Sequence, residues 1–175
     1  MAGIASLTPM AWIALAILAT GLTALSWIDL RTGYLPDPIQ IVLAITGLVV
    51  VGIGSPAGIS WRQALVGAAI NAAVFWSVGW VISRVVGRAA MGMGDVKLLA
   101  MIAAWLGPAP TILTLILGAF VTALYGLLAV PLSRGKRPFA SARLPLGAFL
   151  CATAIYAIYA GQPIIRWYLH FYGYQ

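Results

Sequence analysis

Residues 7–28 read LTPMAWIALAILATGLTALSWI, 22 residues without a charge, and Asp29 closes the run. A stretch of that length and character matches the roughly 20 residues a helix needs to cross a bilayer's hydrocarbon core. It is long for the apolar centre of a secretory signal, and residues 1–10 lack the Lys or Arg that such a signal carries. The run is therefore read as a permanent membrane helix. Five further apolar runs follow: Pro38 to Gly54, Trp61 to Ser83, Val96 to Leu106, Pro110 to Val130 and Leu144 to Ala160. Inside lipid the backbone must satisfy its own hydrogen bonds, which a helix does. The expected fold is all-α: a polytopic membrane bundle of about six transmembrane helices, one domain over residues 1–175.

Composition supports that expectation. Of 175 residues, 63% are hydrophobic and 7% charged, and the mean hydropathy is +1.03. A soluble domain carries about 25% charged residues, because its surface faces water. The charges present are ten Lys and Arg against three Asp, a net of +7. On a soluble chain such an excess would suggest nucleic acid. Here the basic residues lie between apolar runs, where they set topology and meet anionic lipid headgroups. Lipid is thus an expected partner and nucleic acid is not.

Arg31, Arg84, Arg88, Lys97, Arg134, Lys136, Arg137 and Arg143 follow the first, third and fifth runs, whereas Arg62 and Arg166 fall on the opposite side. Cytoplasmic loops hold the excess of Lys and Arg. Those three connections are therefore expected in the cytoplasm, and both termini on the other side. Trp167, Tyr168, Phe171, Tyr172 and Tyr174 read as an interfacial anchor, with His170 among them. A lone cysteine, Cys151, permits neither an internal disulfide nor a cysteine-based zinc site. Gln63 and Asn71 in the third run are expected to bond to neighbouring helices, Asn71 with the further option of lining a cavity.

The three acids, Asp29, Asp37 and Asp95, all map to the cytoplasmic side. Carboxylates at a membrane boundary are costly and call for a named partner or a function; as caps or ion pairs they would be structural. Asp37 precedes Pro38 and is expected as the N-cap of the second helix, a mainly structural place from which it can still face a site. Asp29 stands at a helix C-terminus, the unfavourable end for a negative charge. Either Arg31 compensates it or chemistry keeps it there. Asp95 sits in Gly92-Met93-Gly94-Asp95-Val96-Lys97, where the glycines permit close approach of another chain. The helix it opens ends at Gly107-Pro108 and is short for a bilayer, which would recess Asp95 in a water-accessible dent. Lys97 reads as a marker of the cytoplasmic interface or as a group stabilising charge. Two carboxylates from different helices facing one cavity share a proton; the ionised member activates water and the protonated one polarises a carbonyl. That is the chemistry of an aspartyl protease.

Ile28-Asp29-Leu30-Arg31-Thr32 with Leu35-Pro36-Asp37, and Gly92-Met93-Gly94-Asp95-Val96-Lys97-Leu98-Leu99, resemble the type IV prepilin peptidases. These are membrane aspartyl proteases that share a Gly-x-Gly-Asp element with presenilin-type enzymes. The resemblance runs over most of the chain. It implies that Asp29 and Asp95 are the catalytic pair, with Gly92, Gly94, Lys97, Arg31 and Asp37 supporting the site or binding substrate. It implies removal of a short basic leader from prepilins or pseudopilins, after a leader glycine, at the cytoplasmic face of a bacterial inner membrane. No cofactor and no metal is called for. Larger members carry an insertion with paired cysteines associated with N-methylation of the new amino terminus. One cysteine and the short loops here lead to an expectation of peptidase without methyltransferase activity, as in the short members serving tight-adherence pili. The family's Pro-Phe-Gly-Pro pattern is altered: Pro138-Phe139-Ala140 and Leu144-Pro145-Leu146-Gly147-Ala148-Phe149 each align with it.

Other classes make different demands. A small transporter places ionisable groups near the bilayer midplane and often shows internal repeats, and neither is present here. A non-catalytic membrane scaffold would use the acids as caps and ion pairs. Three Asp could hold Mg²⁺ with waters, but the sole histidine, His170, maps to the opposite face.

Overall fold

The structure, a computed structural model, describes residues 9–87, 92–132 and 145–171. Among them the regular structure is helical: α1 Pro9–Thr32, α2 Asp37–Gly54, α3 Trp61–Val86, α4 Met93–Leu106, α5 Pro108–Leu132 and α6 Leu146–Phe171. The connections holding Arg88, Arg134, Lys136, Arg137, Arg143 and Pro138-Phe139-Ala140 lie outside the described residues, as do Tyr172 and Tyr174. α6 continues through Trp167 and Tyr168 to Phe171, so half of the segment read as an anchoring tail is helix.

α1, α2, α3 and α5 are each long and apolar enough to cross a membrane. The expected six crossings are less uniform than the sequence runs implied. α4 has 14 residues, about 21 Å at the rise of an α-helix, and the apolar part of α6 is the shorter stretch Leu146–Gly161.

α4 is the centre of the bundle. Its sequence from Val96 to Leu106 is apolar nearly all round, and a helix of that kind buries every face; Leu98, Leu99, Ile102 and Ala103 are fully enclosed. α4 packs on α3 and α2 most extensively and also on α5 and α6. The remaining helices meet as α1–α2, α2–α3, α3–α5, α5–α6 and α6–α1, a closed ring around it. Trp105 fixes the far end: its indole N–H donates to the Leu43 carbonyl at 2.7 Å, and its ring fills the space above Gly47. Outward-facing residues such as Ile13, Ile45, Trp76, Ile116 and Phe120 are exposed, the inverted surface of a protein solvated by lipid.

Two polar residues of α3 serve their own helix instead of a neighbour. Gln63 forms a capping box with Ser60, because the N-terminal N–H groups have no intrahelical acceptors. Asn71 donates to its own Gly67 carbonyl at 2.7 Å.

Candidate active site

Asp29 points inward because it continues the buried face of α1: Leu18, Leu22, Leu25 and Asp29 recur at helical spacing and lie against the core. The side chain is buried, with 7% of the residue exposed. α1 runs one turn past it, to Thr32. Compensation by Arg31 is one of two ways to account for Asp29; the hydrogen bond that meets its carboxylate comes from α6. The Ala148 backbone N–H, in the first turn of α6, donates to Asp29 Oδ2 at 2.7 Å, and Ser26 Oγ donates back to the Ala148 carbonyl at 3.3 Å. A carboxylate near the C-terminus of its own helix is thus held at the N-terminus of another, the end that favours negative charge. Arg31 lies over the Trp27 ring, 4.5 Å from its centroid.

Asp95 occupies the third position of α4, after the N-cap Gly92. Its backbone N–H donates to the Gly92 carbonyl at 3.1 Å, and its carboxyl receives a hydrogen bond from the Gly92 backbone, the back-reaching half of a capping box. A side chain on Gly92 would start 3.2 Å from Asp95 Oδ2. Gly94 is bare for a different reason: a methyl there would lie 3.2 Å from Leu35 Cβ.

The two acids converge at Gly147, the second residue of α6. The three atoms nearest to where a Gly147 Cβ would sit are Leu35 Cδ1 at 2.8 Å, Asp29 Oδ2 at 3.0 Å and Asp95 Oδ1 at 3.1 Å. The carboxylates of α1 and α4 therefore border one point, with the backbone of α6 as its floor. One of the two segments aligned with the altered pattern reaches the acids, at Gly147; Pro138-Phe139-Ala140 lies outside the described residues. Cys151, one turn further along α6, is buried.

Asp37 is not the N-cap of α2. Pro36 takes that position, no side-chain cap bond forms, and Lys97 Nζ draws the Asp37 carboxylate into an ion pair of 2.6 Å. Both partners are about half exposed, so the pair ties the first turn of α2 to α4 two residues beyond Asp95. Lys97 is hence more than a marker of the interface. Among the described residues, no three His, Cys, Asp or Glu side chains cluster closely enough to hold a metal ion.

Sequence reasoning singled out Asp29, Asp95 and the glycines before Asp95, and missed the roles of Gly147, Ala148 and Leu35. The signal for Gly147 is its place in one of the two aligned segments; nothing local marks it as meeting the acids.

A family model described as the type IV leader peptidase family matches residues 16–127, a span that includes Asp29, Asp37, Asp95 and Lys97 and ends before Gly147. Curated proteins named prepilin leader peptidase/N-methyltransferase are similar over most of the chain. One from Pseudomonas aeruginosa is 35% identical over 162 residues, 93% of this chain and 54% of the relative. One from Aeromonas salmonicida is 35% identical over 168 residues, 94% and 55% of the two chains. One from Burkholderia pseudomallei is 36% identical over 146 residues, 83% and 46%. The chain spans about half the length of the curated relatives it matches. No solved structure matches.

Proposed function

The chain belongs to the type IV leader peptidase family, and from that premise we propose that it is an aspartyl endopeptidase that removes the leader of prepilins or pseudopilins. The observation that carries the reading is the meeting of Asp29 and Asp95 at Gly147. Two carboxylates on one point cannot both ionise freely, so the pair retains one proton. The ionised member takes a proton from water, whose oxygen adds to the scissile carbonyl carbon, while the protonated member gives its proton to the carbonyl oxygen. Collapse of the tetrahedral intermediate breaks the C–N bond: one of its hydroxyls returns a proton to the ionised carboxylate, the proton on the other carboxyl leaves with the new amine, and the pair again holds one proton. The pair titrates as a unit, so acid and base are not assigned to single residues. The Ala148 N–H on Asp29 and the Gly92 bond on Asp95 orient the carboxylates before substrate arrives, which is where such sites gain rate.

The split of Lys and Arg supports an active site at the cytoplasmic face and termini on the other. A prepilin is an apolar helix with its leader on that face, so insertion in the same bilayer brings its cleavage site to the pair in two dimensions. The proposal covers the peptide-cleaving step in the relatives' name and carries over nothing of methyl transfer. Its test is incubation of the purified chain in lipid vesicles with a membrane-inserted prepilin, followed by sequencing of the product's new amino terminus. Cleavage at the leader junction is expected. An uncut substrate, tried with several leaders and a folded protein, would shift the reading to a scaffold or transport role.

A further inference from the structure

Leu35 supplies the apolar wall of the carboxylate pair. It lies in the four-residue connection between α1 and α2, where its neighbour Tyr34 is exposed, yet Leu35 itself is 4% exposed. Gly33 makes this possible. Its positive φ of 64°, a conformation that suits glycine, turns the chain at the end of α1, with its N–H on the Asp29 carbonyl at 2.8 Å. The connection is then held on both sides of Leu35: the Tyr34 N–H donates to Thr32 Oγ1 at 3.2 Å, and buried Gln40 donates from Nε2 to the Leu35 carbonyl at 3.4 Å. The side chain enters between Gly94 and Gly147 and stops beside both carboxylates.

We infer that Leu35 is a specificity-determining residue, one that limits the substrate residue contributing the scissile carbonyl to a residue without a side chain. The inference rests on the peptidase reading above. For water activation and carbonyl polarisation, the attacked group must come within hydrogen-bond reach of both carboxylates. The Cβ of that substrate residue is two bonds from the attacked carbon, about 2.5 Å, so it is carried against the same walls. One of those walls is the backbone of Gly147, which has no side chain to give way, and Gly94 backs Leu35 from the other side. The other is Leu35, whose Cδ1 already crowds the point that both carboxylates border. Its bonds on either side make it a fixed wall and not a lid that swings aside. Leu35 is therefore the part of the enclosure whose bulk sets the size limit.

The test compares two membrane-inserted prepilin substrates that differ only in Gly or Ala before the scissile bond, cleaved by the full chain in lipid vesicles. The wild type is expected to favour Gly by roughly tenfold or more, the range one methyl group can supply. Leu35→Ala should lower the Gly-to-Ala ratio of kcat/KM by about tenfold, and Leu35→Val should fall between. If Leu35→Ala loses its fold, Leu35→Val, one methylene smaller, still reads the ratio. An unmoved ratio in the folded variants overturns the assignment. So does an equal acceleration of both substrates, which would make Leu35 a plug, or an equal loss of both. A wild type that leaves the glycine substrate uncut overturns the peptidase reading and this inference with it; wild-type cleavage with an unmoved ratio overturns only the role of Leu35.

Discussion

Gly147 shows what single residues contribute to this site. A methyl group there would start 3.0 and 3.1 Å from oxygens of Asp29 and Asp95 and 2.8 Å from Leu35, so the carboxylates would have to move apart. Displacements near 1 Å at a reacting centre cost about a hundredfold in rate. Gly147→Ala is expected to lose cleavage on that order while the helix, for which Ala is a better former, stays folded. Gly52→Ala is the control, since nothing lies within 4 Å of its added carbon, and it should cleave as the wild type does. The shared proton makes a second prediction. At low pH both carboxyls are protonated and the base is missing; at high pH both are ionised and the acid is missing. The rate should therefore rise and fall with pH, with both limbs belonging to the pair. A single-limbed profile between the two extremes would show that one of the carboxyls does not titrate in the reaction.

Helix ends do most of the positioning. Asp29 sits at the end of α1 but is held by the start of α6, and Asp95 is held by the start of its own helix. The Asp37–Lys97 pair joins the starts of α2 and α4. Half-exposed pairs of this kind contribute about 0–1 kcal/mol to stability, so its value is expected in the register of Asp95 and not in unfolding temperature. Asp37→Asn or Lys97→Gln should slow cleavage several-fold with little change in thermal stability, and the exchange Asp37→Lys with Lys97→Asp should recover part of the loss. Failure of the exchange to recover any activity would mean that one of the two meets substrate directly. The same ends mark what the sequence could show. The apolar runs put Asp29, Asp37 and Asp95 at helix borders on one side, because periodicity and charge are local properties, and the family resemblance singled out Asp29 with Asp95. The partner of Asp37 is 60 positions away, and the Ala148 bond to Asp29 spans 119. No local pattern reports such contacts, so the proline after Asp37 reads as a cap signal and Arg31 reads as only one of two ways to account for Asp29.

For the whole molecule, a buried α4 inside a ring of five helices explains how so short a helix is accommodated in a bundle of longer ones. Its neighbours surround most of it, and Gly92 and Met93 at its start are exposed. The proposed orientation of that side can be read chemically. Cys151 is enclosed and should not react, so single cysteines report their own side. Tyr34→Cys, at the end of the molecule that carries the pair, should resist a membrane-impermeant maleimide in intact cells and react after permeabilisation. Gly54→Cys, at the far end of α2 with open space around it, should react in intact cells. The reverse pattern would place the carboxylates on the outer face and contradict the reading of the basic loops.

The central claim is that Asp29 and Asp95 act as one catalytic unit, and it is tested most directly by cleavage of a membrane-inserted prepilin with the wild type beside Asp29→Asn and Asp95→Asn, read as a gel shift. Asn is close in size to Asp and keeps an acceptor for the Ala148 and Gly92 bonds, so both variants should fold. The expected result is cleavage by the wild type and by neither variant. Turnover comparable to the wild type in either variant would contradict the two-carboxylate mechanism.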